Sequence, residues 1–238
     1  MTIHSLIESQ YAAQAKFFEH SSSFQQLESG KAPVEFYDQF IANLCQTHLK
    51  SPQILAFLYA VSPPEAAPQI RHNMLEELGL DEAGISHPGL LYQLAAAAGF
   101  DETAQAELTR AAQEQLRVMC TDPLMFGTIK ELGLSILLEV TCFEWMLSRL
   151  SSRIGKALET HRQLSPNHLE WFYHHSEVDI RHAEEGLLSV AHYVDYYEID
   201  PSELEAILDI TFRENIFIKR YFGAIALATE TQMMEPMA

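Results

Sequence analysis

Apolar residues recur at three- and four-residue intervals along almost the whole chain, while the alternation of a half-buried strand is nearly absent. That periodicity restricts the fold to packed helices. Ser62-Pro63-Pro64-Glu65 and Asp200-Pro201-Ser202-Glu203 read as capping boxes with proline in the first turn, and Asp122-Pro123 and Ser165-Pro166 open two further helices. Breaks fall at Gly30 to Pro33, Ser51-Pro52, Leu78 to Gly84, Gly99 to Asp101 and Leu164 to Pro166. The spacing predicts helices over 3–20, 33–49, 52–61, 64–78, 88–98, 102–119, 124–159, 166–197 and 202–228. The elements 124–159 and 166–197, each about 30 residues and so about 45 Å long, would form the axis of a bundle. No repeat, linker or low-complexity tract interrupts the pattern. The expectation is one all-α domain over residues 1–238.

With 238 residues, 47% of them hydrophobic, the chain can bury one large core. Its formal charge of −18 repels nucleic acid and anionic membrane surfaces, so neither is an expected partner. A homodimer is compatible with this composition. Cys45, Cys120 and Cys142 are far apart and odd in number, which argues against a disulfide framework or a structural zinc site. The N-terminus lacks the basic and apolar regions of a signal peptide, and no apolar run is long enough to span a bilayer. A cytoplasmic location fits.

One segment goes further than fold class. His175-Ser-Glu-Val-Asp179-Ile-Arg-His182 places two imidazoles and a carboxylate at i, i+4 and i+7, offsets that share a helix face. Phe172, Val178, Gly186, Val190 and Tyr193 continue that face as apolar surface. Burying Asp and His there is costly unless a ligand replaces their lost hydration. A metal ion does so, and His with carboxylate is a set that iron or manganese accepts. His174, Glu177, Arg181 and Glu184 form the opposite stripe and are read as surface.

Other acids that interrupt apolar stripes should meet that face. Glu77 shares a stripe with Ala67, Ile70 and Met74, whereas Glu76 lies with Gln69 and Asn73 on a face read as solvated. Glu139 is the anomaly on the stripe of Leu132, Ile136, Phe143, Met146 and Leu150. Glu144, on the more polar stripe of Leu137, Thr141, Ser148 and Ser151, is held in reserve. His87, before Pro88 at the mouth of a helix, can return to the same site. Glu77, His87, Glu139, His175, Asp179 and His182 thus make an oxygen-rich set better suited to two Fe(II) or Mn(II) ions than to zinc. The other histidines, His48 among them, carry no spacing signal. No inward Glu-x-x-His pair, GxGxxG, GxxxxGK[ST], GxSxG or HExxH occurs.

Three segments carry a resemblance. Asn73-Met-Leu-Glu-Glu77-Leu-Gly with His87-Pro88, Gly133-Leu-Ser-Ile-Leu-Leu-Glu139, and His175-x-x-x-Asp179-x-x-His182-Ala183 together resemble the haem-oxygenase-like diiron oxidases. That resemblance implies a bundle of seven or eight helices around two Fe(II) ions, with O2 as co-substrate and a small amino or fatty acid as substrate. Within the family the chain looks closest to nitrile-forming members acting on tryptophan-type amino acids in specialised-metabolite biosynthesis. The aromatic stretches Phe143–Trp145 and Trp171–Tyr173 favour a bulky side chain, and Arg71 or Lys130 would receive its carboxylate. N-oxygenation, oxidative carbon–carbon cleavage and decarboxylation are the alternatives. A metal-independent, thiaminase-like hydrolase on the same fold and a non-enzymatic metal-storage protein stand beside them.

Overall fold

A computed structural model describes residues 2–82, 84–121 and 126–223. Ten α-helices appear among them, with no strand. They are α1 (Ile3–Glu19), α2 (Ser22–Ser29), α3 (Val34–His48), α4 (Ser51–Val61), α5 (Ala67–Leu78), α6 (His87–Ala97), α7 (Glu102–Thr121), α8 (Ile129–Ala157), α9 (Glu170–Tyr196) and α10 (Pro201–Thr211). Helix α8 runs on into a wide turn at Leu158–Arg162, and a single 3₁₀ turn at Pro166–Leu169 leads into α9. No described helix is long and apolar enough to cross a membrane.

The two long helices α8 and α9 form the most extensive helix–helix contact and serve as the axis. Two glycines let their backbones approach. A Cβ on Gly133 would come within 2.3 Å of the Tyr193 hydroxyl, and one on Gly186 within 2.6 Å of Thr141 Cγ2. Around them lies a core rich in aromatics, with Phe18, Phe40, Phe143, Phe217, Tyr221 and Phe222 in mutual contact across α1, α3, α8 and the C-terminal segment.

Several boundaries differ from expectation. Residues 22–29 were placed in no helix, yet α2 forms there, started by Ser21 Oγ, which accepts from Phe24 N–H. The capping box at Ser62 to Glu65 does not form: the Pro63 carbonyl accepts from Ala66 and Ala67 N–H, and α5 begins only at Ala67. At Asp200 half of the predicted box is present. Asp200 Oδ1 accepts from Ser202 and Glu203 N–H, while the Glu203 side chain pairs with Lys130. A complete box starts α8 instead, built by Thr128 and Glu131. Asp122-Pro123 and positions 224–228 lie outside the described residues.

The expected 202–228 helix stops at Thr211. Buried Gln14 of α1 bonds to Phe212 O and Ile216 N–H, and Asn215 Nδ2 donates to Gln14 O. That latch diverts the chain into a separate turn at Ile218–Phe222, which carries Arg220 and Tyr221 toward the axis.

Candidate metal centre and adjoining pocket

Helix α5 ends at Gly79, whose φ of +68° suits a residue without a Cβ. Its N–H bonds to Glu76 O and that of Leu80 to Leu75 O, closing the last turn. A Cβ there would meet Ser86 N at 2.7 Å, so the glycine also lets the following loop fold back over the helix end. Ser86 then caps α6, accepting from Gly89 N–H, and His87 is seated beside Glu77.

Glu77, His87 and His175 converge, each offering a donor atom within 4.8 Å of the others. His87 Nδ1 lies 3.0 Å from Glu77 Oε1, and His175 Nε2 is 3.8 Å from the same oxygen. His175 Nδ1 faces Trp171 O at 2.6 Å, so its N–H is committed there and Nε2 is the ring nitrogen turned toward Glu77. Ser51 donates to the other oxygen of Glu77.

Two turns along α9, Asp179 and His182 continue the cluster. His182 Nδ1 is 3.2 Å from Asp179 Oδ1, and its Nε2 is 2.7 Å from Glu76 Oε2. Glu144 reaches in from α8, accepting from Asn73 Nδ2 at 2.5 Å. Its Oε2 lies where a Cβ on Gly186 would stand 3.5 Å away.

The carboxylates and imidazoles hold one another in shifted states. Burial opposes the charge on Glu77, but His87 and His175 outweigh it and keep the carboxyl well below its ordinary value. Burial likewise opposes a proton on His182, but Asp179 and Glu76 raise it to about 11. Glu76 itself, despite burial, is held at about 2 by His182 and Arg181. For Glu144 burial dominates, pushing it up to about 7.

The buried, hydrogen-bond-starved atoms mark the site's chemistry. Asp179 Oδ2 and His87 Nδ1 are enclosed with no hydrogen-bond partner, and the Nδ1 approach to Glu77 lacks the geometry of such a bond. Unpaired acceptors beside carboxylates in a dry site are costly. Carboxylate and imidazole donors that lack protein partners are what a bound cation would complete, so the residues present fit iron.

Three expectations need correcting at this point. Glu139 does not join the cluster: Arg220 Nε donates to its Oε1 at 2.8 Å, and Nη2 lies 2.6 Å from the same oxygen. The reserve acid, Glu144, faces Asp179 and His182 in its place. Glu76 and Asn73 are also not solvated: Asn73 bonds to Glu144 of α8, and Glu76 meets Arg181 and His182 of α9. His174 is half-buried, its Nε2 3.1 Å from His87 Nε2, where a surface position was expected.

A cavity of about 60 Å³ adjoins the cluster. Glu77, Glu144, His175 and Asp179 line it together with the apolar Ile54, Leu55, Leu116, Met119, Val140 and Phe143. Its cations are Lys50 and Arg220 rather than the expected Arg71, which is exposed, or Lys130, which pairs with Glu203. Of the aromatics flanking the ligand helices only Phe143 lines it. Trp145 carries Arg149 on its ring outside, and Trp171 is core, packed on His175 and His48.

His48, which gave no signal in the sequence, lines the pocket with Nε2 2.8 Å from the Tyr221 hydroxyl. Burial, with His175 nearby, lowers it to about 3, so it is neutral and orients the phenol.

This all-helical arrangement defines a haem-oxygenase-like fold. A domain of unknown function with a heme oxygenase-like fold from Shewanella denitrificans OS217 superposes with a TM-score of 0.61, over 100% of this chain and 97% of that one, at 14% identity. At that identity the likeness speaks for the fold alone. No curated protein matches. Residues 38–212 match the family described as iron-containing redox enzymes, and the chain belongs to that family.

Proposed function

We propose that the chain is a non-haem diiron enzyme that uses O2 to oxidise a small amino acid. The observation that carries this reading is the convergence of Glu77, His87 and His175, with the buried Asp179–His182 pair and its unpartnered Asp179 Oδ2 further along α9 and Glu144 close enough to feel both. These six residues would hold two irons, with manganese the alternative metal. Iron bound there supplies the electrons that reduce O2.

The chain's own residues do the rest. Trp171 O fixes the His175 tautomer, and His174 engages the far nitrogen of His87. Asn73 orients Glu144. The aliphatic wall from Ile54 to Met119 excludes water beside the cluster, and His48 with Tyr221 fixes a polar edge above it. Conversion of a tryptophan-type amino acid to a nitrile is the specific outcome we favour, because the pocket is lined by apolar side chains with Phe143 among them.

Anaerobic Fe(II) titration of metal-free protein, then exposure to O2, tests the reading. About two irons per chain and a transient change in visible absorption are expected. A folded chain that takes up no iron overturns it. Amino acids are then screened for faster O2 consumption, with the tryptophan product identified by mass spectrometry.

A further inference from the structure

The Glu139–Arg220 pair lines the pocket and also lines a separate surface cleft with Thr211, Glu214 and Lys219. It is the partition between the pocket and the outside, and both side chains are about four-fifths covered, at 18% and 20% exposed.

Its geometry is incomplete. A guanidinium and a carboxylate of this kind can pair through two parallel bonds that use both oxygens. Here Arg220 Nε and Nη2 both address Glu139 Oε1. Among the described residues nothing hydrogen-bonds to Glu139 Oε2 or Arg220 Nη1. One acceptor and one donor of opposite charge therefore stand side by side in the wall, each with capacity left.

We infer that Glu139 and Arg220 form the head-group subsite of the pocket, taking the ammonium and carboxylate of a free α-amino acid zwitterion. In a chain of charge −18 a ligand carboxylate needs a local cation, and Arg220 supplies one with a planar fork. An ammonium needs an acceptor not already consumed, which Glu139 Oε2 provides. A zwitterion matches both poles, whereas a fatty acid leaves Glu139 facing its carboxylate and a simple amine leaves Arg220 unanswered. The apolar residues of the pocket then receive the side chain, and the amino and carboxylate groups stay in the same pocket as Glu77, Glu144, His175 and Asp179. This assignment rests on the proposed amino-acid oxidase, and it gives Glu139 a role in place of metal ligation.

Calorimetric titration of the iron-loaded, anaerobic protein with each of the twenty proteinogenic amino acids tests the assignment. The best binder is then compared with its des-amino and decarboxylated analogues. The wild type is expected to bind at least one amino acid and to prefer it over both analogues. Arg220→Gln and Arg220→Lys should each weaken that binding at least tenfold, and Glu139→Gln should remove the preference over the des-amino acid. Iron uptake should be unchanged in all three. Absence of binding by every amino acid, or binding within twofold of wild type in the variants, overturns the subsite. If Arg220→Gln fails to fold, Arg220→Lys and Glu139→Gln decide. Iron uptake by the wild type is read separately, so a failure of the diiron reading is distinguishable from a failure of this one.

Discussion

Glu139 and Glu144 lie five residues apart on α8, both turned toward the interior of the bundle, and they end in opposite surroundings. Glu139 has a guanidinium against it. Glu144 has an amide, a histidine and another carboxylate, and burial lifts it to about 7. An acid neutralised by arginine has little to gain from a metal. An acid left among histidines and other acids keeps its full attraction for one. On the proposed reading the contrast separates ligand from non-ligand better than inward direction does.

The sharpest way to break the contrast is to exchange the fates of the two acids. Glu144→Ala should weaken iron binding by at least about 100-fold, more than the loss of an outer partner would. Glu139→Ala should leave uptake near the wild-type value. Anaerobic titration with circular dichroism as the folding control reads both, and equal losses would erase the distinction.

Proton linkage sharpens it next. On the proposed reading metal binding requires neutral His182 and ionised Glu144, while in the metal-free fold His182 is protonated and Glu144 about half protonated near pH 7. Affinity should therefore rise from about pH 6 to about pH 8, with protons released on binding. The metal-free fold should show the reverse trend from these two groups. His182, raised from 6.5 to about 11, contributes stability that is complete below pH 6.5 and fades as pH rises toward 11. Glu144, raised from 4.5 to about 7, costs stability as pH rises through that window. Melting curves with and without iron at several pH values should diverge as pH increases. Parallel curves would mean that neither group touches the metal.

The smallest effect concerns the paired acid. Arg220→Met strips Glu139 of its cation, and since both groups keep some solvent the loss of stability should be about 1–2 kcal/mol. Chemical denaturation measures it, and no loss would mean that water already screens the pair.

The sequence reached much of this arrangement, and its failures share a cause. Spacing alone put His175, Asp179 and His182 on one face, because positions within a helix obey its period. It put Glu77 inward because an acid on an apolar stripe is conspicuous. It could not rank Glu139 against Glu144, since the residue that separates them, Arg220, lies in a turn 81 residues from Glu139. Glu76 and Asn73 were assigned to solvent because a polar stripe usually faces water. Here that stripe covers a site with polar needs of its own. His48 and Tyr221 meet across 173 residues and leave no local trace. The short α2, eight residues and largely polar, forms only because Phe24 and Leu27 are buried by the rest of the fold.

Gly186 carries no donor atom, yet it sets how far apart the donors stand. A methyl group there would overlap Thr141 and press toward Glu144, so α8 and α9 would have to part. One helix bears Glu144 and the other bears His175, Asp179 and His182, so the gap between them is the jaw width of a clamp. A survey of variants that lose iron would then recover a position invisible to any search for ligands. The calibration of this centre resides in an absent side chain as much as in those present.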